Sequence, residues 1–204
     1  KNQSTNKVVE MLNPWNKKYV NTSIRLWKQK KEFLLDFKKL LKETGQEFDK
    51  ELDVQMVFEE NNETKESFQK KIEKNIYKEI IIKTSLFGPH KDKIDFLYKK
   101  KSLKKHGSQG EHKIFLAILK IAEILFINKK TQSSPIFLID DLFANLDVDK
   151  SKRITTFINE TKKTKKIKLQ TIITTTDILN LKKNMFFNND NSIKKHKLVN
   201  GCKA

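Results

Sequence analysis

Gly107-Ser108-Gln109-Gly110-Glu111, the apolar run from Ile114 to Ile127, then Ile136-Phe137-Leu138-Ile139-Asp140-Asp141 and Asn145-Leu146-Asp147 decide how this chain reads. A small serine flanked by glycines at a helix start presents backbone N–H groups and a hydroxyl to an anion. An apolar strand ending in two carboxylates can hold a hydrated Mg²⁺ and position a water. Each piece also has a plainer reading on its own. Ser108 and Asp147 suit helix N-caps, and Asp140 and Asp141 suit loop carboxylates capping the next helix.

Working outward, the apolar positions from Ile114 to Leu125 nearly encircle their helix, so that helix is expected to be covered on most sides. Glu111 falls in its first turn, near the positive end of the helix dipole. Ile136 to Ile139 is a short continuous apolar run, the pattern of a fully buried strand. Asp149 to Lys163 reads as a helix with Ile154, Phe157 and Ile158 inward, and Leu169 to Thr174 as a further strand. Strand, helix, strand in that order implies a parallel sheet with a crossover helix. Met185 to Phe187 and Ser192 to Val199 read as closing strands.

Before this region the pattern changes. Residues 1–13 are polar and read as a loose lead-in. From Trp15 to Lys42, Leu26, Phe33, Phe37, Leu40 and Leu41 fall near one helical stripe, with Arg25 and Trp27 beside it. Gly45 is a plausible helix stop. Leu52, Val54, Met56 and Phe58 alternate with polar residues as in a half-buried strand. Glu63 to Ile80 carries Phe68, Ile72, Ile76 and Ile80 on a second amphipathic helix. Gly88-Pro89 punctuates a change of domain. Ile94, Phe96 and Tyr98 mark a strand, Lys99-Lys100-Lys101 a turn, and Ser102 to Lys105 a return.

The 204 residues suffice for one good core with an appended subdomain. The formal net charge of +18 suits a partner carrying phosphates. Lys, Asn and Ile are all abundant, so an AT-rich coding sequence is a second source of that charge. Cys202 is the sole cysteine, which excludes an intrachain disulfide and fits a reducing cytoplasm. No apolar run reaches the length of a membrane span. Four scattered histidines and one cysteine give no zinc-ligand spacing. The glycines stand at 45, 88, 107, 110 and 201, and no two are five apart. A P-loop of the form Gly-x-x-x-x-Gly-Lys-Ser/Thr is therefore absent. On that ground, and because it begins at Lys1, the chain is expected to be the C-terminal part of a longer protein.

Four motifs in order, Gly88-Pro89-His90-Lys91-Asp92, Ser108-Gln109-Gly110-Glu111, Leu138-Ile139-Asp140-Asp141 and Thr174-Thr175-Thr176-Asp177, resemble the C-terminal half of the RecF family. These are bacterial DNA repair and replication ATPases related to the SMC proteins. The resemblance runs from Trp15 to the end and is carried mainly by the part after Thr84. It implies an α/β fold: the C-terminal part of an ABC/SMC-type ATPase head (residues 83–204) with a helix-rich α+β arm subdomain (residues 1–82). It implies ATP and Mg²⁺ as cofactors. Ser108, Gln109 and Gly110 would form a signature that meets the γ-phosphate held by the opposing subunit's P-loop. Asp140 would hold Mg²⁺ through water, and Asp141 would orient or deprotonate the attacking water. Asp147 would be the D-loop acid, and Thr175 or Thr176 would stand at the switch position, where many relatives have His. His90 is shared with the family but receives no reaction. Lys93 departs from the family, which usually has a second Asp there.

By the same resemblance the protein would dimerise on ATP and bind DNA at single-strand gaps or single-strand/double-strand junctions. It would support recombinase loading with RecO and RecR, and so the SOS response. Lys99, Lys100, Lys101, Lys104 and Lys105 are the candidate DNA contacts. Hydrolysis would need the missing P-loop part and is not expected of this chain alone. Two other readings stay open: a non-catalytic DNA-binding or scaffold remnant, and another SMC-like ABC ATPase.

Overall fold

A computed structural model describes residues 2–141 and 146–174, with short pieces at 196, 198–199 and 202–203. The first element, α1 (Asn2–Phe48), is one helix of 47 residues. Its inward line is Val20, Trp27, Leu34 and Leu41, spaced by sevens, with Ser23, Phe37 and Thr44 three residues after three of them; all seven are buried. Of the expected stripe, Phe37 and Leu41 are inward, but Leu26 and Phe33 fall one residue before the buried line. Leu26 and Phe33 are 46% and 45% exposed, whereas Trp27 is only 7% exposed. The reason is tertiary. Val20 and Trp27 pack with Phe68 and Ile72 in one cluster, and the Trp27 and Phe68 rings meet edge-on at 4.8 Å.

The lead-in expected to be loose is helical. It runs beside α2 (Lys65–Ile82), where the Tyr77 hydroxyl donates to the Asn6 side-chain oxygen at 3.1 Å. Gly45 does not stop α1. It lies inside the helix, and a β-carbon there would come within 2.2 Å of Val54 Cγ2. The glycine thus lets β1 (Val54–Phe58) lie against the helix, with Val54 and Met56 buried. Thr64 caps α2 through a capping box with Ser67, and Phe68, Ile72 and Ile76 face inward.

After a single 3₁₀ turn (Pro89–Lys91) comes β2 (Ile94–Tyr98), antiparallel to β1 with Met56 opposite Phe96. Lys99 and Lys100 form a two-residue turn to β3 (Lys101–Ser102), both with positive φ, 51° and 65°. The expected return strand is only these two residues. The chain then closes into α3 (Leu103–His106), anchored by buried Leu103. The sheet order is β1-β2-β3.

The chain divides into two compact units, residues 1–107 and 108–204. The sequence placed a boundary between 82 and 83 instead. Because β2 and β3 pair with β1, they belong to the first unit.

The second unit contains α4 (Gln109–Thr131), β4 (Phe137–Asp140), α5 (Val148–Thr164) and β5 (Thr171–Thr174). As expected, β4 and β5 are parallel, with Phe137 opposite Thr171 and Asp140 opposite Thr174. The strand was expected to be wholly buried, but its residues alternate. Phe137 and Ile139 are buried, while Leu138 is 67% exposed and its partner Ile172 is 47% exposed. Around α4 the covering is broad, from Ile114 to Ile124, although Leu116 and Ile127 remain exposed. Near the C-terminus, β6 (Leu198–Val199) and β7 (Cys202–Lys203) form an antiparallel pair. The strand expected at 185–187, and residues 192–195 and 197 of the next one, lie outside the described residues. No helix among the described residues is long and apolar enough to cross a membrane.

Candidate functional site

The second unit presents three chain ends that carry the predicted chemistry. The first is the start of α4. Ser108 Oγ accepts from the Glu111 backbone N–H at 3.3 Å, and the Glu111 carboxylate accepts from the Ser108 N–H at 2.9 Å. This reciprocal box satisfies two of the donors that a helix start leaves over. Gln109 and Gly110, at the next two positions, have no i−4 acceptor within the helix and keep their N–H groups at its positive end. Ser108 is therefore an N-cap, and its exposed hydroxyl still has a proton to donate.

The second is the end of β4. Parallel pairing brings Asp140 beside Thr174, whose hydroxyl donates to Asp140 Oδ1 in a short hydrogen bond. Asp141 turns the chain, with a φ of 46° and its N–H donating to the Thr174 carbonyl at 3.3 Å. Asp tolerates this left-handed conformation better than most residues. Both carboxylates are exposed at the C-terminal edge of the parallel strands, where ligands of open α/β sheets gather. Thr174 was missed by the sequence reading, which looked to Thr175 and Thr176; those two lie outside the described residues. Aligning the two strand ends, Phe137-Leu138-Ile139-Asp140 over Thr171-Ile172-Ile173-Thr174, would have found it.

The third is the start of α5. Asp147 Oδ1 accepts from the Lys150 N–H at 2.8 Å, and Oδ2 pairs with Lys150 Nζ at 2.5 Å. The hydrogen bond from the Lys150 side chain, then that from its backbone, holds the Asp147 carboxyl below the usual carboxylate range. The Lys150 stem covers Gly110: a β-carbon there would lie 3.4 Å from its Cδ, Cε and Nζ.

A hard cation such as Mg²⁺ fits the end of β4. Mg²⁺ takes one or two carboxylates and completes its shell with water and substrate phosphates. One Asp140 oxygen is fixed by Thr174, which leaves the other for a metal-bound water. Among the described residues no group of three or more His, Cys, Asp or Glu forms a dedicated protein cage.

In the first unit, Gly88 to Asp92 is a clip rather than a ligand site. Gly88 has φ 133° beside the Tyr19 hydroxyl, and a β-carbon there would come within 1.7 Å of it. Tyr19 donates to the Phe87 carbonyl at 2.7 Å and lies 3.3 Å from His90 Nδ1, while His90 Nε2 lies 3.3 Å from the Ser85 carbonyl. Asp92 receives Trp27 and Lys30. His90, unassigned from sequence, is thus part of the contact between α1 and the 3₁₀ turn. Lys99, Lys100, Lys101, Lys104 and Lys105 are all exposed, and among the described residues none forms an ion pair.

No protein-family model matches the chain. The DNA replication and repair protein RecF of Geotalea daltonii is 41% identical over 98 residues, which is 48% of this chain and 25% of that protein. RecF of Lachnoclostridium phytofermentans is 26% identical over 172 residues, 84% of this chain and 45% of that protein. The matched stretch is thus a quarter to under half of the length of these relatives. Among solved structures, the recombination mediator protein RecF of the RecFOR pathway in its ATP form superposes with a TM-score of 0.64. That match has 18% identity and covers 83% of this chain and 47% of the other. The ATPrS form gives 0.62 at 16% identity, over 82% and 46%. These likenesses establish the α/β fold.

Proposed function

The chain is a relative of RecF, matching its C-terminal portion, and from that premise we propose that it is the signature-bearing part of a RecF-like DNA replication and repair ATPase. Ser108, Gln109 and Gly110 meet the γ-phosphate of ATP held by the P-loop of an opposing subunit. Asp140 would hold Mg²⁺ through water, and Asp141 would orient or deprotonate the attacking water. Asp147 contacts the opposing subunit, and Thr175 or Thr176 occupies the switch position. Mg²⁺, when bound, neutralises charge on the transferred phosphoryl group. The observation that carries the reading is the end of β4, where Thr174 donates to one oxygen of Asp140 and the chain turns at the left-handed Asp141, the next carboxylate in the sequence. Hydrolysis requires a P-loop-bearing half.

The nucleic-acid side of the reading rests on residues 99–106, Lys-Lys-Lys-Ser-Leu-Lys-Lys-His, which contain no carboxylate. A two-residue hairpin with both φ values positive favours Asn-Gly. Lysine there costs about 1 kcal/mol per residue, and an AT-rich gene supplies Asn as readily as Lys. Two lysines held in this conformation at an exposed tip suit phosphate contact. DNA at gaps or junctions is the proposed ligand, and recombinase loading with RecO and RecR in the cytoplasm is the proposed role.

Two experiments test this. In protein carrying a P-loop-bearing half, Ser108→Arg should still bind nucleotide but fail to dimerise on ATP, whereas Asp141→Asn should dimerise and persist. Mixing the two should restore some hydrolysis. One composite site then carries both lesions and the other carries neither. No recovery, although mixed dimers form, means that Ser108 does not act in trans. For DNA, reversing Lys99, Lys100, Lys101, Lys104 and Lys105 should weaken binding more, and flatten its salt dependence more, than reversing Lys162, Lys163, Lys165 and Lys166. Equal losses would reduce the patch to diffuse compositional charge.

A further inference from the structure

Lys150 occupies an electrostatically awkward place. It is the third residue of α5, and its side chain also lies over Gly110, the second residue of α4. Helix starts carry partial positive charge, and a cation there is disfavoured. Two such ends therefore act on one ammonium group. The ion pair with Asp147 compensates it, and both side chains are about half exposed, 43% and 51%. The pair is accessible to an arriving anion, and an anion would be favoured by both helix starts and by the ammonium group together.

We propose that Lys150 is a phosphate-engaging residue of the signature, exchanging Asp147 for the terminal phosphate of a nucleoside triphosphate presented at Ser108 by the opposing subunit. This rests on the reading of Ser108 to Gly110 as a signature acting in trans. Before nucleotide arrives, Lys150 ties up Asp147. When the phosphate takes the ammonium group, Asp147 is released to contact the opposing subunit. Arrival of ATP and formation of the dimer contact are then coupled through one side chain. The Lys150 stem lies across the helix start over Gly110, where its head can reach either partner.

The test uses the whole 204-residue chain supplied with a P-loop-bearing half. Dimerisation is followed against ATP concentration for wild type, Lys150→Met, Lys150→Arg and Ser108→Arg, with thermal midpoints measured in parallel. Lys150→Met keeps the stem over Gly110 and removes the charge. It should raise the ATP needed for half-maximal dimerisation about 10- to 100-fold, the worth of one hydrogen bond to a charged group. Its thermal midpoint should fall only slightly at neutral pH, because a half-exposed ion pair contributes little, and Lys150→Arg should retain most of the response. Lys150→Gln carries the same test should Met at 150 not fold. A wild-type ATP response in Lys150→Met while Ser108→Arg abolishes dimerisation overturns the role of Lys150 and leaves the signature intact. A Lys150→Arg variant as defective as Lys150→Met also overturns it, since retaining the positive charge would then make no difference. If Ser108→Arg dimerises normally, the trans signature itself falls, and this inference with it.

Discussion

The indole N–H of Trp27 lies 3.1 Å from each carboxylate oxygen of Asp92. Trp27 is a core residue, so this buried donor depends on Asp92 for its hydrogen bond, and Lys30 neutralises the carboxylate at 2.7 Å. The last acid of the Gly88 to Asp92 motif is thereby occupied by α1. Asp92→Ala should destabilise the chain by about 1–3 kcal/mol, the cost of orphaning a buried donor. Asp92→Asn should cost less. Urea unfolding reads both, and an Ala variant as stable as wild type would show that the motif does not hold the helix.

Gly45→Ala should reverse an ordinary rule. In a helix interior, alanine is about 1 kcal/mol better than glycine. Here the new β-carbon would meet Val54 Cγ2 at 2.2 Å, and Val54 is fully buried at the start of β1. The substitution should therefore destabilise. Adding Val54→Ala should remove the clash, so the double variant should be more stable than the sum of the two single changes predicts. Strict additivity in a double-mutant cycle would sink the argument.

These two contacts also show what the sequence could and could not convey. Local chemistry was legible. Ser108 with Glu111 three residues on is a capping box in plain letters, and the order of strand, helix and strand from residue 136 to residue 174 yields the observed parallel pair. Choices between equivalent local patterns were not legible. Along α1, Leu26, Phe33 and Leu40 run parallel to Trp27, Leu34 and Leu41, one residue apart. Only Phe68, Ile72 and Asp92, remote in sequence, select the second line. The polar first residues are helical because α2 lies alongside, and no local signal says so. At the candidate site, Asp140 and Ser108 were named from residue type and spacing. The contacts of Thr174 with Asp140 and of Lys150 with Gly110 were not legible, because they arise from strand register and from the approach of two helix starts.

Replacing Lys99-Lys100 by Asn-Gly separates folding from binding. The new pair suits the positive φ values of the turn, so thermal stability should rise, by about 1 kcal/mol or more for the relieved strain. Two cations leave the tip, so DNA affinity should fall, with the salt slope shallower by roughly 2. A variant that gains stability and binds DNA as tightly as wild type would remove the hairpin from the DNA surface.

Asp147 gives a signed pH expectation. Its carboxyl is held below the ordinary range, first by the hydrogen bond from the Lys150 side chain. A group depressed on folding contributes stability above its unfolded pKa and loses it as the pH falls through the folded value. The pair should thus stabilise α5 at neutral pH and fade in acid. In a carbon-detected NMR titration, Lys150→Met should return the Asp147 carboxyl towards the ordinary carboxylate range. If its midpoint does not move, Lys150 is not the cause.

Thr174 supplies the most direct test of the carboxylate edge. Its hydroxyl donates to Asp140 Oδ1 across the parallel pair, and both side chains are exposed. Thr174→Val keeps the β-branched shape that suits a strand and deletes only the donor. Stability should change little, because no buried group is orphaned. The orientation of Asp140, however, is no longer fixed. Groups that orient a metal-holding carboxylate are typically worth 10- to 100-fold in activity or metal affinity. In protein carrying a P-loop-bearing half, Thr174→Val should therefore lower turnover by about that factor and raise the Mg²⁺ needed for half-maximal rate. Nucleotide binding should be nearly unchanged, since the P-loop is elsewhere. Thr174→Ser, which restores the hydroxyl, should recover most of the rate. A Val variant that turns over normally at limiting Mg²⁺ would show that the hydrogen bond is incidental and that Asp140 is positioned by the strand alone.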